Sequence, residues 1–127
     1  MSLKPEPLVT KTVTSELGRE FLTQLMFFNN GTFIMISEGD PQIGAVSVSI
    51  SSSNKVNTAK VIPSKYDAVF VNTVAEKISL MTNGICLVSL QSKSQLELED
   101  MKAIMGELMK TVGGRAANDE QHGAKKQ

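Results

Sequence analysis

The first part of the chain alternates short apolar runs with turn-forming residues, a pattern typical of β-strands. Residues 8–14 are rich in β-branched types and alternate loosely, which predicts a first strand. Segments 20–28 and 32–38 flank Asn30-Gly31, and an Asn-Gly pair favours the positive φ angles of a type I′ turn. Segment 20–28 alone would also suit a helical face, but the turn favours a hairpin of strands 20–28 and 32–38.

A regular alternation follows the turn at Gly39 and Pro41. Residues 43–50 alternate with period two, so that three apolar side chains face one way and three small ones face the other. This pattern predicts a meander of three or four antiparallel strands. The apolar face is expected to be buried, and the small polar face is expected to lie open to solvent or to a partner strand or helix. Residues 51–57 are short and polar and predict a loop, followed by a brief extended piece at 59–63.

Two helices are predicted in the second half of the chain from capping-box spacing. Thr73 with Glu76 marks the start of the first helix, which is expected to end near Thr82 because Asn83-Gly84 suits a left-handed C-cap. Ser94 with Glu97 marks the start of the second, which is expected to span about 95–112 and to end at Gly113-Gly114. Between the helices, the continuous apolar run 85–90 predicts a central strand covered on both faces.

Together these elements predict an α+β fold, an antiparallel β-sheet meander with two helices packed on it. The expected organisation is a flexible N-terminus at 1–7, one domain over 8–113 and a disordered polar tail at 114–127.

Composition and charge narrow the range of functions. The chain has 127 residues, of which 41% are hydrophobic, and 13 basic residues balance 13 acidic ones. A neutral chain lacks the positive field that phosphate binding uses, so no nucleic-acid partner is expected. No apolar segment approaches the length of a membrane span, and the N-terminal residues lack the apolar stretch of a secretory signal. With a single cysteine, Cys86, this predicts a protein of the cytoplasm or the nucleus that does not bind membranes.

Candidate chemistry is sparse. The lone histidine, His122, lies in the polar tail, so one chain cannot assemble a Ser-His-acid triad or a histidine metal site. Residues 39–44 match neither a dinucleotide-binding fingerprint nor a phosphate loop. Glu38 and Asp40 form a carboxylate pair near a loop, where a metal or acid–base role competes with a solvated turn. We therefore expect a protein that binds other proteins, with no catalytic residues, metal or cofactor.

Four segments carry a family resemblance: FIMI at 33–36, IGAVSVSI at 43–50, NTVAEKI at 72–78 and TNGICLVSL at 82–90. With the terminal helix they cover about two thirds of the chain. They resemble the small eukaryotic proteasome assembly chaperones, the third and fourth members, with the fourth member's pattern the more similar. The resemblance implies pairing with a related small chaperone or with itself, and docking on α-type subunits during assembly of the 20S ring.

Two surfaces are expected to carry such binding. The helix at 95–112 has more apolar residues than it needs to cover one sheet, which predicts a dimer interface there, although methionines that fill core gaps would give the same excess. A roadblock or longin-type dimeric scaffold for GTPase or vesicle-trafficking complexes remains the alternative, because it combines the same elements. The predicted subunit-binding residues are Glu38, Asp40, Gln42, Lys60, Lys65 and Tyr66, and the predicted dimer residues are Met101, Met105, Leu108 and Met109.

Overall fold

The computed structural model of the chain describes the backbone of residues 8–125 and the side chains of residues 8–115. The predicted flexible N-terminus, residues 1–7, lies outside the described residues. Six strands form one sheet, and two helices accompany it. In chain order the elements are β1 (Leu8–Thr14), β2 (Glu20–Phe28), β3 (Gly31–Glu38), β4 (Ala45–Ser52), β5 (Lys55–Ile62), α1 (Ala68–Thr82), β6 (Ile85–Gln91) and α2 (Leu98–Lys125).

The strands lie in the order β1-β2-β3-β6-β4-β5. The first three form the predicted meander, and the hairpin of β2 and β3 is antiparallel as predicted. Its turn is Asn29-Asn30, because Gly31 already belongs to β3, and neither Asn30 nor Gly31 has the positive φ of the predicted type I′ turn. β6 then lies between β3 and β4, parallel to β3 and antiparallel to β4. The α+β class and the single domain are confirmed, but the meander is interrupted because the last strand of the chain takes the central position.

Both helices pack on one face of the sheet and enclose the core. The strands contribute fully buried side chains such as Phe21, Leu25 and Ile34, and the helices contribute Ile78 and Ile104. Each such side chain stabilises the fold by about 1.5–3 kcal/mol relative to exposure. The sheet and the helices are therefore held together mainly by one apolar layer between them.

Helix α1 begins five residues before the predicted start. Its N-cap position is Asp67, and Thr73 lies inside the helix, where its hydroxyl donates to the carbonyl oxygen of Val69 at 2.8 Å. The capping-box prediction at Thr73 was wrong because a threonine hydroxyl can also bond back to its own helix. The predicted end is confirmed, since Asn83 adopts the left-handed conformation with φ 51° and ψ 48°.

Helix α2 begins at Leu98, three residues after the predicted start, and continues to Lys125. The start is capped by Asp100, whose Oδ2 accepts the backbone N–H of Glu97 at 2.9 Å. Gly113-Gly114 does not end the helix, and the residues predicted as a disordered tail are helical over 114–125. Each glycine costs a helix about 1 kcal/mol relative to alanine, which weakens a helix without terminating it.

Strand β5 replaces the predicted loop at 51–57. It pairs with β4 along its length, and the two strands are joined at Ser53 and Asn54, which both have positive φ angles of 51° and 64°. Two successive residues with positive φ are typical of a type I′ hairpin turn. The sheet therefore gains a sixth strand at its edge.

Candidate protein-binding surfaces

The face of the sheet opposite the helices has no covering layer in the described part of the chain, except at the loop after β3, where the backbone N–H groups of Gln42 and Gly44 donate to the hydroxyls of Ser37 and Ser89. Strand β4 shows most clearly which face the helices cover. Ser47 lies under α1, and its hydroxyl donates to Oδ1 of Asn72 at 2.6 Å. Val46, Val48 and Ile50 point the other way, and none of them belongs to the core under the helices. The apolar face of this strand is buried only in part, since Val46 is buried and Ile50 is 49% exposed, and of the outcomes predicted for the small face a covering helix is the one observed. Its small face is covered, because small residues let a helix approach closely.

An apolar row crosses this uncovered face on all six strands. The pairing register places one apolar side chain from each strand side by side. We call this row and its apolar neighbours Leu22, Met35, Ile85 and Ile50 the open face. In sheet order, the row is Leu8, Met26, Phe33, Leu87, Val48 and Ala59.

The open face approaches the size of a protein interface, and its apolar row carries no charge. Six strands about 4.8 Å apart, with seven to nine residues each, span a surface of about 24 by 25 Å, or about 600 Å². A typical stable interface takes about 800 Å² from each partner. Every member of the row is uncharged, so a second neutral surface can pack on it without burying an unpaired charge.

The predicted subunit-binding loops lie together at one end of the sheet. β3 and β6 are parallel, so both end there. β4 is antiparallel to β6 and to β5, so β4 begins there and β5 ends there. We call this the loop end, formed by residues 15–19, 39–44, 63–67 and 92–97. Asp40, Gln42, Lys60, Lys65 and Tyr66 are exposed at or beside it. Asp40 and Gln42 are separated in sequence from Lys60, Lys65 and Tyr66 by 18 residues or more, and the fold brings the two groups to one side of the molecule.

Glu38, in contrast, is committed to a contact within the fold. Its carboxylate accepts two hydrogen bonds from the guanidinium of Arg19, at 2.7 and 3.0 Å, and a third from the backbone N–H of Lys93 at 2.8 Å. Nη1 of Arg19 donates to Oδ2 of Asp100 at 3.0 Å and to the carbonyl oxygen of Gln95 at 2.9 Å. Glu38 therefore holds the sheet to the start of α2, and its carboxylate is not free for a partner.

The charges of this cluster stabilise one another. Hydrogen bonds from Arg19 lower the pKa of Glu38, and the same contact raises the pKa of Arg19. Burial alone would raise the pKa of Asp100, but its hydrogen bonds and the Arg19 charge outweigh burial, so that pKa lies below its usual value. All three groups are therefore charged at neutral pH, which is the state expected of a structural ion pair and not of a general acid.

The predicted dimer residues on α2 differ in their availability. Leu108 is fully buried in the core and offers no surface to a partner, which corrects its placement on an interface. Met101 and Met105 are partly buried and pack against the same core. Met109 is also half-buried. The sequence pattern could not separate these positions, because α2 uses its methionines to fill the space above the sheet.

The described residues contain little that could support catalysis. The shallow cleft between β4, β5 and α1 has no enclosed space for even a water molecule, whereas ligand pockets typically measure about 300–1,000 Å³. No group of three acidic, histidine or cysteine side chains among the described residues is placed to hold a metal ion. Cys86 is buried in β6, and burial raises the pKa of its thiol to about 12, so the thiol is unreactive at neutral pH.

Neither helix, over the described residues, is long and apolar enough to cross a membrane. No protein-family model matches the sequence, and no curated protein sequence matches it. The fold, however, is similar to that of a chain in the crystal structure of a chaperone complex for yeast 20S proteasome assembly. The two share 12% sequence identity with a TM-score of 0.53, and the match covers 91% of this chain and 97% of that chain.

The chain has a proteasome-chaperone-like fold. At 12% identity, the similarity concerns the fold and assigns no residue a role. The near-complete coverage of both chains shows that the sheet and the helices are shared as one unit. The sequence resemblance therefore agrees with the structure at the level of the fold.

Proposed function

We propose that this protein is a non-catalytic assembly chaperone of the 20S proteasome, which pairs with a second small chaperone or with itself and binds α-type subunits. The observation that carries the proposal is the fold, since the yeast chain with a similar fold belongs to a chaperone complex for 20S proteasome assembly. The open face supports it independently, because a domain with an uncovered apolar sheet face is suited to association.

We place the pairing surface on the open face and not on α2. The row has an apolar side chain on every strand, whereas α2 directs Ile104 and Leu108 into its own core. A partner with a similar sheet can pack against it face to face, with about 10 Å between the sheets. The loop end then remains free to bind a subunit, because it lies at the strand ends and not on the sheet face.

A binding experiment with purified subunits tests the function. The full-length protein is mixed with individual α-type subunits of the 20S proteasome, and with β-type subunits as a matched control, and complexes are separated by size-exclusion chromatography. We expect co-elution with at least one α-type subunit and with none of the β-type subunits. Co-elution with neither class would contradict the proposal, and capture of GTPase-regulating or vesicle-trafficking components from cell extract would favour the roadblock or longin alternative.

The pairing surface is tested by two matched substitutions. Met26, on the open face, and Leu80, on the outer side of α1, are 41% and 49% exposed, so a lysine at either position reaches solvent in the unpaired chain. We expect Met26→Lys to weaken the dimer about tenfold or more, because the interface would bury a charge without a partner. Leu80→Lys should leave the dimer unchanged.

The molar mass of both variants is measured by light scattering over a range of concentrations, together with circular dichroism. If the wild type forms a dimer, the same molar mass for Met26→Lys at every concentration would rule out the open face as the surface of self-pairing.

A further inference from the structure

One corner of the loop end combines exposed apolar side chains with lysines. We call residues 60–69, where β5 ends and α1 begins, the β5–α1 corner. Val69 is 80% exposed, the largest exposed fraction among the exposed large apolar side chains of the described residues. Such a concentration on a monomer surface marks a site for another molecule. The exposed large apolar side chains here are Val61, Ile62, Tyr66 and Val69.

The exposed charge at this corner is positive. From Lys55 to Ala75 the sequence contains three lysines and a single acid, Asp67. Asp67 is buried, and its carboxylate accepts hydrogen bonds from the N–H of Leu96 at 3.3 Å and the hydroxyl of Ser92 at 3.4 Å. That negative charge faces the interior, so it does not neutralise the lysines at the surface.

Lys60 and Lys65 are available to a partner. Neither forms an ion pair with any acidic side chain in the described part of the chain. The ammonium of Lys65 lies 5.4 Å from the centroid of the Tyr66 ring, an arrangement that holds a positive charge beside an apolar surface. The nearest acid on the outer side of α1 is Glu76, two turns further along the helix, and it accepts the hydroxyl of Thr58 at 2.9 Å.

The corner presents a shallow surface at the edge of the sheet. Lys60 and Ile62 on β5 face Ala68 and Asn72 on α1 across the shallow cleft. β5 is the outer strand of the sheet, so the cleft opens at the edge of the molecule. The cleft is too shallow to take in a side chain, so a partner's apolar side chain would lie on the exposed surface of Ile62 and Val69 while its neighbouring carboxylates meet the lysines.

We propose that the β5–α1 corner binds a segment of a partner protein in which acidic residues flank an apolar side chain. The inference rests on the proposed function and deepens it, since this segment would belong to the α-type subunit. The four exposed apolar side chains favour a protein over a nucleic acid, because two lysines give little binding to phosphates. Charge complementarity at the rim then speeds association and excludes partners with basic surfaces.

Charge reversal tests the inference. Lys60→Glu with Lys65→Glu is compared with Lys102→Glu and Lys110→Glu, a control on the exposed side of α2 with the same change in net charge. Binding to the purified α-type subunit that co-elutes with the wild type is measured by biolayer interferometry at 50 and 200 mM salt. We expect the corner variant to bind about tenfold more weakly or worse, and the control to stay within about twofold of wild type.

A second variant, Val69→Ser, removes the most exposed apolar side chain without changing charge and should also weaken binding. Circular dichroism and thermal unfolding establish that each variant is folded. Equal binding by wild type and the corner variant at both salt concentrations would overturn the inference alone. If the wild type bound no α-type subunit at all, the proposed function would fall and the inference with it.

Discussion

Arg19 joins three parts of the molecule that are far apart in sequence. Its guanidinium bonds to Glu38 at the end of β3, to the loop before α2 and to Asp100 in the first turn of α2. Asp100 is completely buried, so its charge has little water to stabilise it. The stability of this end of the fold therefore depends on one side chain.

We expect Arg19→Met to lower the free energy of unfolding by about 2–3 kcal/mol, because it leaves the Asp100 carboxylate buried without its charged partner. The loss is smaller than for a fully buried ion pair, because Arg19 is partly exposed and water screens its charge. The melting temperature should fall by about 10 °C. Lys102→Ala, which removes an exposed pair with Glu99, should change stability by less than about 0.5 kcal/mol.

The pH dependence of stability gives a second test of the role of Arg19. The native pKa values of Glu38 and Asp100 lie below their usual values, so their stabilisation is complete above the unfolded-state values of about 4. It is lost as pH falls through the lower native values. The difference in stability between wild type and Arg19→Met, measured by urea unfolding, should be constant from pH 7 to about 5 and should shrink below about 4. A difference that stayed constant down to pH 2 would show that packing and not charge explains the loss.

The sequence identified Glu38 as a notable carboxylate but could not predict its partner. Arg19 precedes Glu38 by 19 residues and Asp100 by 81, and neither spacing is a recognised local motif. Only the hairpin of β2 and β3 and the return of α2 bring the three together. Asp40 and Gln42 were predicted to bind a subunit together with Glu38. Their side chains are exposed and take no part in this cluster, so for them the prediction stands untested.

Gly31 controls how two elements meet. It begins β3 directly beside the start of β6, and a Cβ atom at this position would overlap the carbonyl oxygen of Ile85. Gly106, on α2, has open space where its Cβ would be. The same substitution therefore has opposite consequences at the two positions.

We expect Gly31→Ala to destabilise the protein by about 1–3 kcal/mol, because the backbone of β3 or β6 must move to admit the methyl group. Gly106→Ala should stabilise it by about 0.5–1 kcal/mol, since alanine favours the helix and meets no neighbour. Urea unfolding of the two variants measures both values. A stabilised Gly31→Ala protein would mean that β3 and β6 are not packed as closely as the structure shows.

Elements with strong local signals could be predicted from the sequence, and the others could not. The end of α1 follows from Asn83, whose left-handed conformation is decided locally. The β2–β3 hairpin lies where Asn30-Gly31 predicted it, but without the positive φ angles of a type I′ turn. The second half of β5 was predicted as an extended piece at 59–63, but its first half was missed. Residues 55–58 alternate lysine and asparagine with β-branched types, a weak pattern that becomes a strand only when β4 pairs with it.

At the scale of the whole molecule, one layer of helices covers a sheet that is apolar on both faces. The alternation in β4 showed that its residues face two ways, but it could not show which face the helices cover. That choice depends on where β6 is inserted and on which side α1 crosses from β5 to β6, and both are decided by contacts between distant segments. The open face, the main candidate for pairing, could therefore be recognised only from the structure.

The central position of β6 also determines the order in which the protein can fold on the ribosome. The meander of β1 to β3 and the hairpin of β4 and β5 are each made of consecutive strands, but no strand pairing joins them until residues 85–91 have been synthesised. Until then, β3 and β4 each have a free edge that is open to wrong pairing. Completion of the sheet is thus a late event, and a nascent chain stopped before residue 85 carries two separate half-sheets.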